Sequence, residues 1–171
     1  MPKPGTTLVS IEEYLSSSYE PDCDYVDGVL EERNLGEYDH SNLQTTITAY
    51  LRTRARLWKV RVVVEQRIRV SATRVRVPDV CVISRDREIE QVPTKPPLIC
   101  IEVLSPEDRW TPTETRIQDY LTMGVERVWV FEPQGSEVFE CSKGGYRQVL
   151  EDLLEAPPVS IRISELLAEL D

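Results

Sequence analysis

The feature that most constrains the fold is an apolar strand, a helix and a second apolar strand in close succession. They read "LICIEVL" (98–104), "TPTETRIQDYLTMG" (111–124) and "RVWVFEP" (127–133). Pro112 suits the first turn of this helix, and Gly124 suits the residue just past its end. Because a crossover helix of this kind joins parallel strands, the pattern predicts a parallel pair of strands with a helix packed against it.

The remaining segments add helices and mostly antiparallel strands. Ser10 and Glu13 form a capping-box pattern for a short first helix, and Asp27-Gly28 is a strong signal for a two-residue hairpin turn. Residues 40–58 have helical spacing of apolar residues, with Asp39 or Ser41 as a plausible N-cap. Further strands are predicted in "VRVVVEQRIRV", "RVRVPDVCVIS", "GSEVFE" and "GYRQVL", and a closing helix in "SELLAEL". The predicted fold class is α/β (α+β), with a mixed central sheet flanked by helices.

The length of 171 residues predicts one domain, spanning 1–171. Within it we expect a helix and hairpin at about 10–34, a core at about 40–132, and a C-terminal hairpin and helix at about 133–171. No apolar run approaches the ~20 residues that cross a bilayer, and the N-terminus lacks the apolar segment of a secretory signal. We therefore expect a cytoplasmic protein without a membrane partner.

The cysteine and histidine pattern argues against a zinc site. The chain has four cysteines, none in a CxxC pair, and one histidine, His40. Cys81 and Cys100 lie in apolar strands and are expected to be buried. All four cysteines are expected to be reduced thiols.

Two carboxylates lie in apolar strand contexts, Asp79 in "VPDVCVI" and Glu102 in "ICIEVLS". An unpaired ionised carboxylate in a core is very costly. The two strands follow one another in the sequence, so we expect them to be neighbours in the sheet. Two carboxylates on one side of such a pair would form a hard-oxygen site for Mg²⁺ or Mn²⁺. Alternatively, each acid pairs with an arginine of the basic hairpin between residues 67 and 76.

A basic segment covers residues 52–76, with nine basic residues and one acid, Glu65. It is either a phosphate-binding face or a set of solvated arginines on a helix and a hairpin. The candidates for contacts to DNA within this segment are Arg67, Arg69, Arg74 and Arg76. Glu65 is either a third carboxylate of the site or a salt-bridge partner of a neighbouring arginine.

These motifs resemble a known group of nucleases. A strand "PD" followed by an acid in a later apolar strand is similar to the PD-(D/E)XK nuclease superfamily. More closely, "ICIEVLSPEDRW…RIQDYLTMGVERVWVFEP" resembles the Uma-two family of restriction endonucleases, as do "DYVDGVL" and His40 at the start of a helix. The resemblance extends from about Ile11 to Leu167.

The resemblance implies a restriction-endonuclease-like core that hydrolyses phosphodiester bonds of DNA. Asp79 and Glu102 would bind a divalent metal, Mg²⁺ or Mn²⁺, with the carbonyl of Val103 as the usual third contact. In such enzymes the metal polarises the phosphate and activates a water molecule. A homodimer or higher homo-oligomer is also considered, because cutting both strands often uses two sites.

The sequence departs from the superfamily motif at Leu104, where the motif has lysine. Arg116, in the following helix, aligns with a basic residue common in the family; it can stabilise charge on a phosphate, but it stays protonated and cannot be a general base. Glu65 or the phosphate itself would then accept the proton. His40 could serve as an acid or base or contact phosphate, or it could be a capping or packing residue. The missing lysine and the net charge of −10 favour the alternative of a non-catalytic DNA-binding or protein-interaction module.

Overall fold

The computed structural model describes residues 6–33, 36–105, 110–133 and 137–170. Helices in these ranges are α1 (Ile11–Leu15), α2 (Tyr38–Arg54), α3 (Trp110–Met123) and α4 (Ile163–Leu167). The strands in order are β1 (Cys23–Val26), β2 (Val29–Glu32), β3 (Val60–Val64), β4 (Ile68–Ser71), β5 (Arg74–Arg76), β6 (Val80–Ser84), β7 (Ile99–Val103), β8 (Arg127–Phe131), β9 (Val138–Ser142), β10 (Gly145–Gln148), β11 (Leu153–Ala156) and β12 (Val159–Arg162).

A mixed six-stranded sheet forms the centre of the fold, in the order β10-β9-β8-β7-β6-β3. Strands β7 and β8 are parallel, with Ile99 opposite Arg127, and α3 is the crossover between them. Strands β6 and β7 are antiparallel neighbours, with Val80 opposite Ile101. The predicted parallel pair, the predicted neighbouring strands and the mixed sheet flanked by helices are all confirmed.

Two smaller sheets accompany the central one, whereas the sequence analysis expected a single sheet. The first has four antiparallel strands in the order β2-β1-β5-β4, and the second is the hairpin β11-β12, which the sequence analysis missed. The chain leaves the four-stranded sheet after Arg76 and enters the central sheet at Val80. Pro78 lies in this passage, where its missing N–H costs no ladder hydrogen bond.

The predicted helix cap at Ser10 and the predicted hairpin turn at Asp27-Gly28 are both confirmed. The Ser10 side chain caps α1 by accepting a hydrogen bond of 3.1 Å from the Glu13 N–H. Asp27 and Gly28 both have positive φ, 50° and 93°, as the tight turn between β1 and β2 requires.

The boundaries predicted for α2 were wrong at both ends. The helix begins at Tyr38 after an N-cap at Glu37, and the Ser41 N–H already donates to the Glu37 carbonyl at 3.0 Å. Asp39 and Ser41 therefore lie inside the first turn. At the other end α2 stops at Arg54, because the next residues form turns that end at Lys59, with φ of 54°.

The two faces of the central sheet pack against different elements. One face packs against α2, α4 and the β11-β12 hairpin, and the other packs against α3 and β4. Alternation along β7 places Ile99 and Ile101 on the first face and Cys100 on the second. Glu102 follows the alternation of Cys100, so its side chain lies on the α3 side.

All four cysteines are free thiols, as predicted, and Cys81 and Cys100 are buried, as predicted. Cys23 and Cys141 are buried as well. Of the helices in the described ranges, none combines the length and the apolar character needed to span a bilayer.

Candidate active site

Asp79 lies at the point where the chain enters the central sheet, one residue before β6. It is 3% exposed. Its Oδ1 accepts a hydrogen bond of 2.7 Å from Arg33 Nη2, and its Oδ2 accepts one of 2.7 Å from the Val103 N–H. His40 Nε2, in the first turn of α2, lies 3.4 Å from the same Oδ2. The carboxylate is thus held by a strand N–H, a cation and an imidazole.

Glu102 lies in β7 and is 2% exposed. Its Oε1 accepts a hydrogen bond of 2.6 Å from the Tyr120 hydroxyl, and its Oε2 lies 3.9 Å from Arg116 Nη2. Arg116 and Tyr120 are four residues apart on α3 and therefore lie on one face of that helix. The crossover helix thus supplies Arg116 and Tyr120 to Glu102.

A small polar cavity joins these groups. Its volume is about 20 Å³, enough for about one water-sized occupant. The lining residues are Arg33, His40, Asp79, Glu102, Val103, Ser105 and Arg116. The structure therefore brings together five of the residues singled out in the sequence, and it adds two that the sequence analysis did not name as site residues.

The electrostatics of the two carboxylates differ. Burial raises the pKa of Glu102 to about 7; Arg116 opposes the increase and the charge of Asp79 adds to it. Burial also acts to raise the pKa of Asp79, but the hydrogen bond with His40 and the charge of Arg33 outweigh it, so the pKa of Asp79 is lowered. The pair is therefore one ionised carboxylate beside one that takes up a proton near neutral pH, as two close buried acids tend to be.

The Glu65 side chain does not line this cavity. The Glu65 N–H donates to the Asp79 carbonyl at 3.2 Å, so the main chains of the two residues meet. The side chain itself is exposed, and the backbone at Glu65 has φ of 49° as the chain turns out of β3. This turn directs Glu65 away from the two carboxylates.

The four arginines predicted to contact DNA are largely engaged within the protein. Arg67 pairs with Asp22 at 2.9 Å, and Arg69 donates to the Ala72 carbonyl. Arg74 and Arg76 form a network with acids of β1, β2, their turn and α3: Asp24, Asp27, Glu31 and Asp119.

Arg76 requires a correction, because its side chain is only 2% exposed and lies between carboxylates. In this position it cannot contact DNA. The alternative prediction, in which arginines of the basic hairpin neutralise Asp79 and Glu102, is also wrong. The cations beside these two acids are Arg33 and Arg116.

Arg33, Ser105 and Gln44 were not predicted from the sequence as site residues. Gln44 lies on α2, and its Nε2 donates to the Asp79 carbonyl at 3.0 Å. Arg33 follows β2 and reaches Asp79 across 46 positions of sequence. No local pattern distinguishes this arginine from the many others, so only the tertiary fold identifies it.

The types of donor atom at the site are those that bind a hard divalent cation. Carboxylate and carbonyl oxygens are the ligands that Mg²⁺ and Mn²⁺ prefer, and Asp79, Glu102 and the Val103 main chain meet at the cavity. Across the described ranges, no group of three His, Cys, Asp or Glu side chains is placed to hold a metal. The main chain and water would therefore complete the coordination, and an ion would compete with Arg33 and Arg116 for the carboxylate oxygens.

A mixed sheet with Asp79 and Glu102 at adjoining antiparallel strands is the arrangement expected of a restriction-endonuclease-like fold. The family model of Uma2, the Uma-two family, described as "putative restriction endonuclease", matches residues 11–170, and the chain belongs to this family. The fold is also similar to a crystal structure from Anabaena variabilis ATCC 29413, described as "a putative nuclease belonging to DUF820". That match has a TM-score of 0.81 and 22% sequence identity, and it covers 94% of this chain and 98% of the other. No curated protein matches the chain.

Proposed function

We propose that this protein is a metal-dependent endonuclease that hydrolyses phosphodiester bonds of DNA at the Asp79–Glu102 site. The observation that carries the proposal is the convergence of these two buried acids with Arg116 in one polar cavity. The family and its structural neighbour, both described in terms of nucleases, support the same reaction class.

Asp79, Glu102 and the carbonyl of Val103 are the groups that would hold Mg²⁺ or Mn²⁺. When bound, such an ion supplies Lewis-acid stabilisation of the phosphate and lowers the pKa of a bound water. The Val103 N–H donates a hydrogen bond of 2.7 Å to Asp79, and the Tyr120 hydroxyl donates one of 2.6 Å to Glu102. These hydrogen bonds fix the orientation of the two carboxylates. Fixed ligands of this kind need little reorganisation when the substrate binds.

Arg116 is suited to bind the phosphate that reacts. Its side chain is largely buried and lines the cavity, while its contact with Glu102 is long, at 3.9 Å. A guanidinium that lines the cavity can bind a phosphate and stabilise its developing charge. Because arginine stays protonated, Arg116 does not take the proton from water.

His40 and Arg33 both contact the Asp79 carboxylate. His40 Nε2 lies 3.4 Å from Asp79 Oδ2 and can orient this carboxylate or carry a proton. Arg33 compensates its negative charge at 2.7 Å. Displacement of Arg33 onto the substrate phosphate would free Asp79 Oδ1 for an ion.

One observation favours the second candidate, a non-catalytic nuclease-fold module that binds DNA or a protein. In the described structure each carboxylate lies beside an arginine, Asp79 beside Arg33 and Glu102 beside Arg116. These cations provide the charge compensation that a metal would otherwise provide. A protein that has lost its metal would retain such pairs for stability alone.

The test is nicking of supercoiled plasmid by purified protein with Mg²⁺ or Mn²⁺, and with EDTA. Asp79→Asn and Glu102→Gln keep the size of each side chain and remove its charge. Glu155→Gln is the matched control, since Glu155 lies on the exposed face of β11. All variants are purified identically, so that a contaminating nuclease would appear in every sample.

We expect metal-dependent nicking by the parent and by Glu155→Gln, and a loss of at least about 100-fold in both site variants. Equal nicking by all four proteins would show that the activity does not come from this site. A parent that nicks DNA under neither metal would contradict the enzyme and favour the binding module. A homodimer, which belongs to the same proposal, is tested by the mass of the parent in solution.

A further inference from the structure

A long acid-free segment extends from the site along α2 and β3. Residues 40–64 contain no Asp or Glu, although the chain has 30 acids among its 171 residues. The same segment contains five cations, Arg52, Arg54, Arg56, Lys59 and Arg61. A locally positive surface on a protein with a net charge of −10 indicates a polyanionic partner.

The fold places the cations of this segment together at the end of the sheet away from Asp79. Val60 at the start of β3 is opposite Ser84 at the end of β6, while Val64 is opposite Val80 beside Asp79. Arg85 follows β6 and its N–H donates to the Lys59 carbonyl at 2.9 Å. We call Arg52, Arg56, Lys59, Arg61 and Arg85 the edge cluster.

Main-chain carbonyls, not carboxylates, anchor three of the five cations of the edge cluster. Arg52 Nη1 donates to the Val62 carbonyl at 3.1 Å, and Arg85 Nε donates to the Val60 carbonyl at 2.9 Å. Arg61 Nη1 donates to the Ser84 carbonyl at 3.1 Å. These bonds hold the guanidiniums in place without neutralising them, and each guanidinium keeps further N–H donors.

The edge cluster also lacks ion pairs, whereas most other arginines of the described chain form them. Among the residues the structure describes, no carboxylate oxygen lies within 4.0 Å of a charged nitrogen of the cluster. Arg54 is left out of the cluster because it lies 3.9 Å from Glu165. The acid nearest in sequence is Asp86, which is exposed in the turn after Arg85. By contrast, Arg74 pairs with two acids.

A helix C-terminus attracts cations by itself, but this effect does not explain the whole cluster. The dipole of α2 accounts for cations in its last turn, such as Arg52. Lys59, Arg61 and Arg85 lie on a turn and at strand ends, beyond that helix. Three cations without a carboxylate partner raise the electrostatic repulsion within the cluster, and a bound polyanion would relieve this repulsion.

We propose that the edge cluster binds the phosphate backbone of duplex DNA on one side of the scissile phosphate. The choice of DNA as the polyanion rests on the proposed function. His40 at the site and Arg52 are 12 residues apart on α2, which is about 18 Å along the helix. At 3.4 Å per base pair, the cluster contacts phosphates about five base pairs from the bond that is cut.

The experiment measures the anisotropy of a labelled DNA duplex with Glu102→Gln protein in EDTA, where cleavage is blocked. One variant carries Arg52→Gln, Arg56→Gln and Lys59→Gln. The matched control removes three exposed cations elsewhere, with the changes Lys143→Gln, Arg147→Gln and Arg162→Gln. Binding is recorded over a range of salt concentrations, and thermal melting confirms that every variant is folded.

Removal of three phosphate contacts should reduce the slope of log affinity against log salt by about 2.7. The control triple variant, with the same change in net charge, should keep the parent slope. A third variant, with Arg52→Lys and Arg56→Lys, should bind as the parent does, because phosphate binding requires charge. A glutamine variant with the parent slope, or a lysine variant as weak as the glutamine variant, would overturn the proposal.

The proposed nuclease activity and the proposed DNA contact of the edge cluster can be refuted independently of each other. A parent that binds DNA through the cluster but never nicks plasmid contradicts the enzyme and leaves the cluster supported. If the parent nicks plasmid but the glutamine variant keeps the parent's slope of log affinity against log salt, the proposed DNA contact of the edge cluster is contradicted. The proposed nuclease activity then remains supported. A parent without salt-dependent DNA affinity overturns the cluster.

Discussion

The substitution Glu102→Gln should stabilise the metal-free protein at alkaline pH. The pKa of Glu102 in the folded state is about 7, compared with an ordinary value of 4.5. At about 1.4 kcal/mol per pH unit, this difference corresponds to a destabilisation of about 3 kcal/mol when Glu102 is ionised. Glutamine removes the charge, and its Oε1 can still accept the hydrogen bond of Tyr120.

The pH dependence has a definite sign. A carboxyl whose pKa is raised by folding contributes fully to stability below its unfolded pKa of about 4.5. That contribution decreases as the pH rises from there and is lost above about 7. Glu102→Gln does not lose stability in this way, because glutamine does not ionise. The stability gain of Glu102→Gln over the parent should therefore be small near pH 4.5 and greatest above pH 7.

The assay is thermal denaturation in EDTA at a series of pH values, for the parent, Glu102→Gln and the exposed control Glu155→Gln. For a chain of this size, a gain of about 3 kcal/mol raises the melting temperature by about 5–10 °C. The control should show no pH-dependent difference from the parent. A Glu102→Gln protein that is less stable than the parent at pH 8 would refute the reasoning, because it would show that Arg116 and Arg33 hold Glu102 ionised at a net gain.

Three further predictions concern stability and reactivity. Arg76→Met should cost about 3–5 kcal/mol in urea denaturation, because it leaves several carboxylates around a site that is 2% exposed. Arg74→Met, at a site that is 32% exposed, should cost about 1 kcal/mol or less, and equal losses would contradict the difference in burial. Burial raises the pKa of Cys141 to about 12, so this thiol should react with a thiol reagent only as fast as the protein unfolds; rapid labelling of native protein would contradict its burial. Gly124→Ala should cost about 1 kcal/mol or more, because Gly124 ends α3 with φ of 112°, and an unchanged denaturation midpoint would contradict that conformation.

Local periodicity predicted the part of the fold that positions the site. The crossover through α3 follows from the helical spacing between two apolar strands, with Gly124 just past the helix end. The neighbouring positions of Asp79 and Glu102 follow from the order of β6 and β7. Each of these features depends on residues close in sequence, which is why the sequence alone was enough.

The contacts that the sequence did not predict join distant residues. Arg33 reaches Asp79 from the end of the first hairpin, and Arg76 is surrounded by acids from β1, β2 and α3. Side-chain charge alone cannot show which arginine is neutralised within the fold and which remains available to a partner. For this reason the basic hairpin seemed suited to DNA, whereas the structure leaves uncompensated charge on the edge cluster.

The most direct test of the proposed metal site is a crystal structure of the protein saturated with Mn²⁺, with anomalous data. We predict one ion bound by the Asp79 and Glu102 carboxylates and the Val103 carbonyl, with Arg33 moved off Asp79. An empty site in Mn²⁺-saturated crystals, with Arg33 still on Asp79 and Arg116 still beside Glu102, would contradict a metal-dependent nuclease at this position.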